Sequence, residues 1–161
     1  MTTRRQFLKT GLAGGLLLNI AGCSMGASGD SRRAVLSALV PVFLAGALPA
    51  PGAARDAAIT GTVAGIEKAI AGLALAAQKE LDQLFALLGF APARIAVAGV
   101  WADWQDATPQ AVGAFLESWR HSRFELLRSA YAALHDLVFG AFYAGPETWP
   151  AIGYPGPPKV Q

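Results

Sequence analysis

The sequence predicts an all-α fold, a small bundle of four to five helices with an N-terminal export leader and an extended C-terminal tail. Apolar residues recur at spacings of three and four through residues 32–145, which is typical of helices. Proline and glycine separate these runs, and no segment shows the alternation expected of a strand. We therefore divide the chain into a leader (1–22), a tether (23–31), a helical domain (32–145) and a tail (146–161).

The composition suits one packed domain. Of the 161 residues, 53% are hydrophobic and 15% are charged, so the chain can bury a sizeable core. Removing residues 1–22 would take away three of the 13 basic residues and none of the 11 acidic ones, which leaves a net charge of −1. Without a basic excess to bind phosphate backbones, we expect no nucleic-acid partner.

The first residues match a twin-arginine export signal, which directs folded proteins through the twin-arginine translocase. A polar residue precedes two arginines, and an apolar run over 11–21 follows that is too short to span a bilayer. The alternative is an amphipathic helix with an accidental arginine pair. The order of charge, apolar run and boundary favours the signal, carried by Arg4, Arg5, Phe7, Leu8 and Lys9.

The chain has a single cysteine, Cys23, so it cannot form an internal disulfide. The preceding Ile20, Ala21 and Gly22 resemble a lipobox, where processing acylates the cysteine and cuts before it. Acyl chains would make the product a lipoprotein with a membrane anchor. The alternative is ordinary signal-peptidase cleavage over residues 24–27, which would discard Cys23.

The helical domain opens with two apolar stripes. The first runs from Arg32 to Leu48, includes Pro41 and ends at Pro49. The second predicts one continuous helix over residues 59–88. It also carries small residues that would let a neighbouring helix approach closely, namely Gly65, Ala69, Gly72 and Ala76.

Proline residues mark two further helix starts. Pro92 can open a short helix that reaches Val100 or Trp104. Thr108 followed by Pro109 predicts an N-cap and first helical residue. The helical period then continues to residue 141, either as one helix or as two helices separated at residues 121–122.

The tail interleaves aromatic residues with glycine and proline, which favours an extended conformation. It could pack its aromatic residues back onto the bundle, or it could present them to a partner protein. As a hypothesis, we assign partner binding to tail residues and to one exposed helix face. The residues are Trp119, Arg120, Trp149, Tyr154, Pro155, Pro157 and Pro158.

The sequence shows no motif that points to catalysis, so we assign no catalytic, cofactor-binding or metal-binding residue. His121 and His135 are too far apart to share one metal ion and are expected to be structural. Asp103 and Asp106 lie just before a helix start, so we expect their carboxylates to cap that helix and to be exposed to solvent. We expect arginines 120, 123 and 128 to pair within their helix, for instance Arg128 with Glu125.

Several short motifs together suggest a family. They are Phe115, Leu116, Trp119, Arg120 and Ser122, then Ala130, Tyr131 and Leu134, and finally Trp-Pro-x-x-Gly-Tyr-Pro-Gly-Pro-Pro over residues 149–158. With the leader, they resemble the small (gamma) subunits that accompany FAD-dependent dehydrogenases of the glucose–methanol–choline (GMC) type. Gluconate dehydrogenase small subunits and twin-arginine-leader-containing periplasmic proteins are examples.

The resemblance implies a division of labour. A GMC-type flavoprotein without its own signal would hold FAD and catalyse oxidation, and this chain would escort it to the periplasm. Some such complexes add a cytochrome subunit. The alternative is a free-standing envelope lipoprotein that binds an apolar ligand or another envelope protein between its helices.

Overall fold

The computed structural model describes residues 29–157. The predicted export residues, the lipidation residue Cys23 and the terminal Pro158 lie outside this range. Within it the all-α prediction is confirmed, because six α-helices and one 3-10 helix form and no strand is present. The helices are α1 (Gly29–Phe43), α2 (Ala53–Ala71), α3 (Leu75–Gly89), α4 (Ala91–Ala98), α5 (Pro109–Arg120) and α6 (Glu125–Tyr143).

Helix α1 lies at the centre of the bundle and packs against α2, α3, α5 and α6. Its inward face is fully buried through Val35, Leu36, Leu39 and Val40. Pro41 lies inside the helix, which ends two residues later. The apolar stripe predicted to reach Leu48 continues as turns, in which the Leu44 amide donates to the Val40 carbonyl at 3.0 Å and Leu44 stays buried.

The prediction of one continuous helix over residues 59–88 is wrong, and the described residues form six α-helices where four to five were predicted. The chain breaks between α2 and α3 at Gly72, whose amide donates to the carbonyls of Lys68 and Ala69. The side-chain amide of Gln78, near the start of α3, donates hydrogen bonds to the carbonyl oxygens of Ala71 (3.3 Å) and Leu73 (2.8 Å). These bonds satisfy the carbonyl of the last residue of α2 and that of Leu73 in the following turn, which a continuous helix would have bonded internally.

Small residues in this region do allow close packing, as predicted. Gly65 of α2 faces α6 so closely that a Cβ placed on it would lie 3.3 Å from the Cβ of Ala141. Two exposed ion pairs join α1 to its neighbours, Arg32 with Asp82 at 2.8 Å and Arg33 with Glu67 at 2.9 Å. The hydrogen bond that Arg33 donates to Glu67, together with the negative charge of that carboxylate, raises the pKa of Arg33.

The later helix starts follow the predictions, but α4 ends two residues before Val100, the nearer of its two predicted ends. Pro92 lies in the first turn of α4, which ends at Ala98 before a left-handed Gly99. Thr108 caps α5, since its hydroxyl oxygen accepts a hydrogen bond from the Ala111 amide at 3.2 Å. The interruption near residues 121–122 separates α5 from α6.

Within residues 29–157 no single helix has the length and apolar character needed to cross a membrane. The pair α3 and α4, bent by 94° where they meet, passes that test by length and composition alone.

Candidate partner interface

The tail was predicted to be extended, and over Pro146–Ile152 it forms a 3-10 helix instead. The proline-rich sequence permits this because Pro146 lies at the helix start, where its missing amide is not needed. Thr148 donates its hydroxyl to the Gly145 carbonyl at 2.8 Å and so closes the first turn. We call residues 146–157 the tail hook.

Trp149 organises the tail hook. Its indole Nε1 donates to the carbonyl oxygen of Tyr143 at 3.0 Å, and its ring meets the Tyr154 ring edge-on at 5.2 Å. The Tyr154 amide donates to the Trp149 carbonyl at 3.0 Å. Gly156 has φ +96° and approaches the Trp149 ring so closely that a Cβ would lie 3.1 Å from it. The hook therefore curls around one half-buried indole.

The outer side of the tail hook is exposed. Tyr154 is 44% exposed and Ile152 is 54% exposed, and both Pro155 and Pro157 are exposed. The packing interpretation of the tail is therefore confirmed for one ring, and partner binding by the exposed residues stays a prediction. The indole of the hook packs back onto the end of α6, and its remaining apolar residues face outward.

An apolar groove of about 800 Å³ lies between the tail hook, the end of α6 and the start of α2. Alanines form much of its lining, including Ala54, Ala57 and Ala58 of α2. Leu48, Phe142 and Ile152 add larger apolar surface, and Glu147 supplies a carboxylate. The groove can accept an apolar side chain or a small apolar ligand.

A row of aromatic rings leads along α6 to the hook. Tyr131, His135, Phe139 and Tyr143 follow one another at intervals of four residues, and we call them the aromatic row. His135 stacks on Phe139 at 4.4 Å, and Phe139 stacks on Tyr143 at 6.1 Å. All four side chains are half-buried. The i, i+4 repeat was visible in the sequence and could have identified this row, but sequence reasoning missed it.

The structure does not place Trp119 on a partner surface, so that prediction is wrong. Its side chain is 1% exposed, its ring packs edge-on against Phe115 at 4.7 Å, and its indole Nε1 donates to the Val97 carbonyl at 2.8 Å. Trp119 belongs to the core because its helix turns that face inward. Arg120 is exposed and pairs with Glu117 at 3.8 Å.

Arg120 and the tail hook do not share a surface. Helix α6 begins shortly after Arg120 and ends shortly before the hook. Its 19 residues span about 28 Å at a rise of 1.5 Å per residue. Of the predicted partner-binding residues, the structure brings together Trp149, Tyr154, Pro155 and Pro157.

The histidines lie apart, as predicted. His121 pairs with Glu117 at 2.8 Å at the end of α5, and His135 contacts Asp136 at 3.1 Å within α6. Across residues 29–157, no three side chains among histidine, cysteine, aspartate and glutamate gather in a way that could hold a metal ion. Arg128 donates to the Ser122 carbonyl at 2.7 Å, where pairing with Glu125 had been predicted.

Asp103 does not cap the next helix, which Thr108 caps, but it is 77% exposed, as expected, and it also forms an ion pair. Arg94 of α4 is 4% exposed, donates from Nη2 to Asp103 Oδ1 at 3.0 Å, and donates from Nε to the Val100 carbonyl at 3.1 Å. Trp104 donates its indole Nε1 to the Leu88 carbonyl at 2.8 Å. The loop over residues 99–106 is therefore tied to both α3 and α4.

Comparison with models of protein families, with curated proteins and with solved structures finds no significant match. The resemblance to the small subunits of GMC-type dehydrogenases therefore depends on the leader and on the motifs at residues 115–122, 130–134 and 149–158.

Proposed function

We propose that this chain is a non-catalytic small subunit that binds a GMC-type, FAD-dependent dehydrogenase and escorts it through twin-arginine export. One observation carries the proposal: the C-terminal motif that suggests the family folds into a hook with outward-facing apolar residues. A tail needed only for packing has no use for an exposed Tyr154, Pro155 and Pro157 beside an apolar groove.

The tail hook suits protein recognition on physical grounds. Aromatic residues and proline lose little conformational entropy on binding, because few of their torsions are free. The Trp149 hydrogen bond to Tyr143 holds the hook in place before any partner arrives. The near-neutral charge of the mature chain also favours apolar contact over electrostatic steering.

The export route fits this role. A twin-arginine signal serves folded cargo, including a cofactor-loaded flavoprotein that has no signal of its own. Acylation of Cys23 would then hold the complex at the membrane from the periplasmic side. FAD belongs to the partner in this arrangement, and a cytochrome subunit could accept the electrons.

The proposal is tested by co-expression with a flavoprotein encoded next to this chain that lacks a signal peptide. Periplasmic FAD, released by denaturation and measured by fluorescence, should depend on the presence of this chain. Replacing Arg4 and Arg5 with lysine should leave both proteins in the cytoplasm, because the translocase requires the arginine pair. Flavoprotein export at the normal level without this chain would refute the escort role.

The groove supports a second candidate, a free-standing lipoprotein that binds an apolar ligand. Its volume of about 800 Å³ falls within the range of about 300–1,000 Å³ usual for small-molecule sites. Ala57→Trp should fill the groove and displace a bound apolar fluorescent dye. This result without any flavoprotein partner would favour the lipoprotein over the escort subunit.

A further inference from the structure

The corner where α3 meets α4 exposes a continuous stretch of chain with almost no charge. Between Asp82 and Asp103 the one charged residue is Arg94, whose side chain is only 5% exposed. Three large apolar side chains in this stretch are exposed, Leu87 by 41%, Phe90 by 47% and Trp101 by 78%. We call these three residues, with the exposed Ala91, Pro92 and Ala96 of α4, the apolar elbow.

The bonds around the elbow hold its large side chains in position. Phe90 is the residue between the two helices, where the chain turns by 94°, and Leu87 lies one turn earlier on α3. Trp101 follows Val100, whose carbonyl accepts the bond from buried Arg94. Trp104 ties the same loop to α3 through the Leu88 carbonyl. Buried polar groups thus fix a loop that presents an indole to solvent.

Charges border the elbow without entering it. Asp103 is 77% exposed, but its carboxylate is paired with the Arg94 guanidinium. Asp82, at the other edge, is paired with Arg32 of α1. The elbow therefore offers neither a cationic nor an anionic site, and its natural partner is an apolar phase.

The elbow also lies beside the point where the described chain begins. Gly89, at the end of α3, packs so tightly against Ser31 of α1 that a Cβ on Gly89 would clash with the Ser31 Oγ. Ser31 is two residues from Gly29, and six residue steps separate Gly29 from Cys23. An extended chain of that length reaches at most about 20 Å, so an acyl group on Cys23 would keep the elbow close to the bilayer.

We propose that the apolar elbow inserts into the interfacial region of a phospholipid bilayer as a second membrane contact, independent of the lipid on Cys23. Tryptophan and phenylalanine are favoured at this depth, where an apolar ring is buried and the indole N–H stays hydrated. The inference does not depend on the dehydrogenase partner.

The test uses the full chain carrying Cys23→Ser, which cannot be acylated, with vesicles of zwitterionic phosphatidylcholine. Every variant keeps the same leader, so differences in vesicle binding report the elbow. Phe90→Ala and Trp101→Ala should each weaken partitioning by about tenfold, as expected for burial of one large apolar side chain. Leu126→Ala is the matched control, because Leu126 is 79% exposed at the start of α6 and its removal should change nothing.

A second measurement locates the contact. Brominated phosphatidylcholine should quench part of the tryptophan fluorescence, and Trp101→Phe should abolish that quenching. Trp104 and Trp119 are buried in the core, so they should not be quenched. The fourth tryptophan, the half-buried Trp149, is replaced by Phe in every variant of this measurement. Circular dichroism melts confirm that each variant is folded.

Two results would overturn the proposal. One is equal vesicle binding by Trp101→Ala, Phe90→Ala and the Leu126→Ala control. The other is unchanged vesicle binding combined with loss of a co-purifying protein, which would make the elbow a protein interface.

Discussion

The indole Nε1 of Trp149 donates a hydrogen bond to the backbone carbonyl of Tyr143 at 3.0 Å. That carbonyl lies in the last turn of α6, where helix carbonyls lack an intrahelical partner. One side chain therefore caps the final long helix and anchors the tail hook. Because the same residue begins the motif that suggests the family, its role in the fold and its role in the proposed interface have to be separated by experiment.

Deleting residues 149–161 should leave the helices folded and remove most of the flavoprotein binding. No residue of the 3-10 helix is fully buried and Trp149 is half-buried, so deletion should cost only about 1–2 kcal/mol, from one hydrogen bond and part of one ring. Thermal melting by circular dichroism and co-purification with the flavoprotein measure the two effects. An unfolded truncated chain would show that the hook is core packing, and a folded one that binds at full strength would place the interface elsewhere.

Substitutions of the adjacent residues Trp119 and Arg120 should have very different effects on the free energy of unfolding. Trp119→Ala should lower the free energy of unfolding by about 3–5 kcal/mol, because it removes a buried ring. Arg120→Ala should change it by less than about 0.5 kcal/mol, since its pair with Glu117 is exposed. Urea titrations measure both. A Trp119→Ala chain of normal stability that fails to bind the flavoprotein would restore Trp119 to the interface.

Gly65→Val should destabilise the bundle by about 1–3 kcal/mol, because the added methyl groups would be forced against Ala141 of α6. Gly61 offers a matched control on the same helix, since a Cβ there would meet nothing within 4 Å. Gly61→Val should leave the unfolding free energy unchanged or slightly higher. Equal effects of the two substitutions would mean that helix propensity, and not packing between α2 and α6, sets the result.

Cys23→Ala should abolish fatty-acid labelling of the mature chain and weaken its attachment to membranes. Mass spectrometry of the wild-type N-terminus decides the underlying question. An acylated Cys23 supports the lipoprotein, whereas an unmodified N-terminus beyond Ser24 would exclude it.

Local signals allowed several boundaries to be predicted correctly. The Thr108 cap, Pro109 and Pro92 act within one turn of the chain, so neighbouring residues suffice to place them. The break between α2 and α3 could not be predicted from periodicity. Helices on both sides of it bury apolar residues in the same core, so the apolar spacing continues across Gly72. The bonds that complete the break come from Gln78, a polar residue outside the apolar spacing.

The sequence by itself determined the helical class, the positions of helix starts marked by proline and the signals that predict export. Only the tertiary structure decided which aromatic residues face solvent. Trp119 is 1% exposed although its neighbours along the chain are charged or polar, and Trp101 is 78% exposed although it follows an apolar run. Burial depends on what packs against a side chain from distant elements. The Trp119 indole donates a hydrogen bond to the carbonyl of Val97, which lies 22 positions earlier in the sequence. Beside Trp101, in contrast, the Val100 carbonyl accepts a hydrogen bond from buried Arg94, while the Trp101 ring itself is exposed.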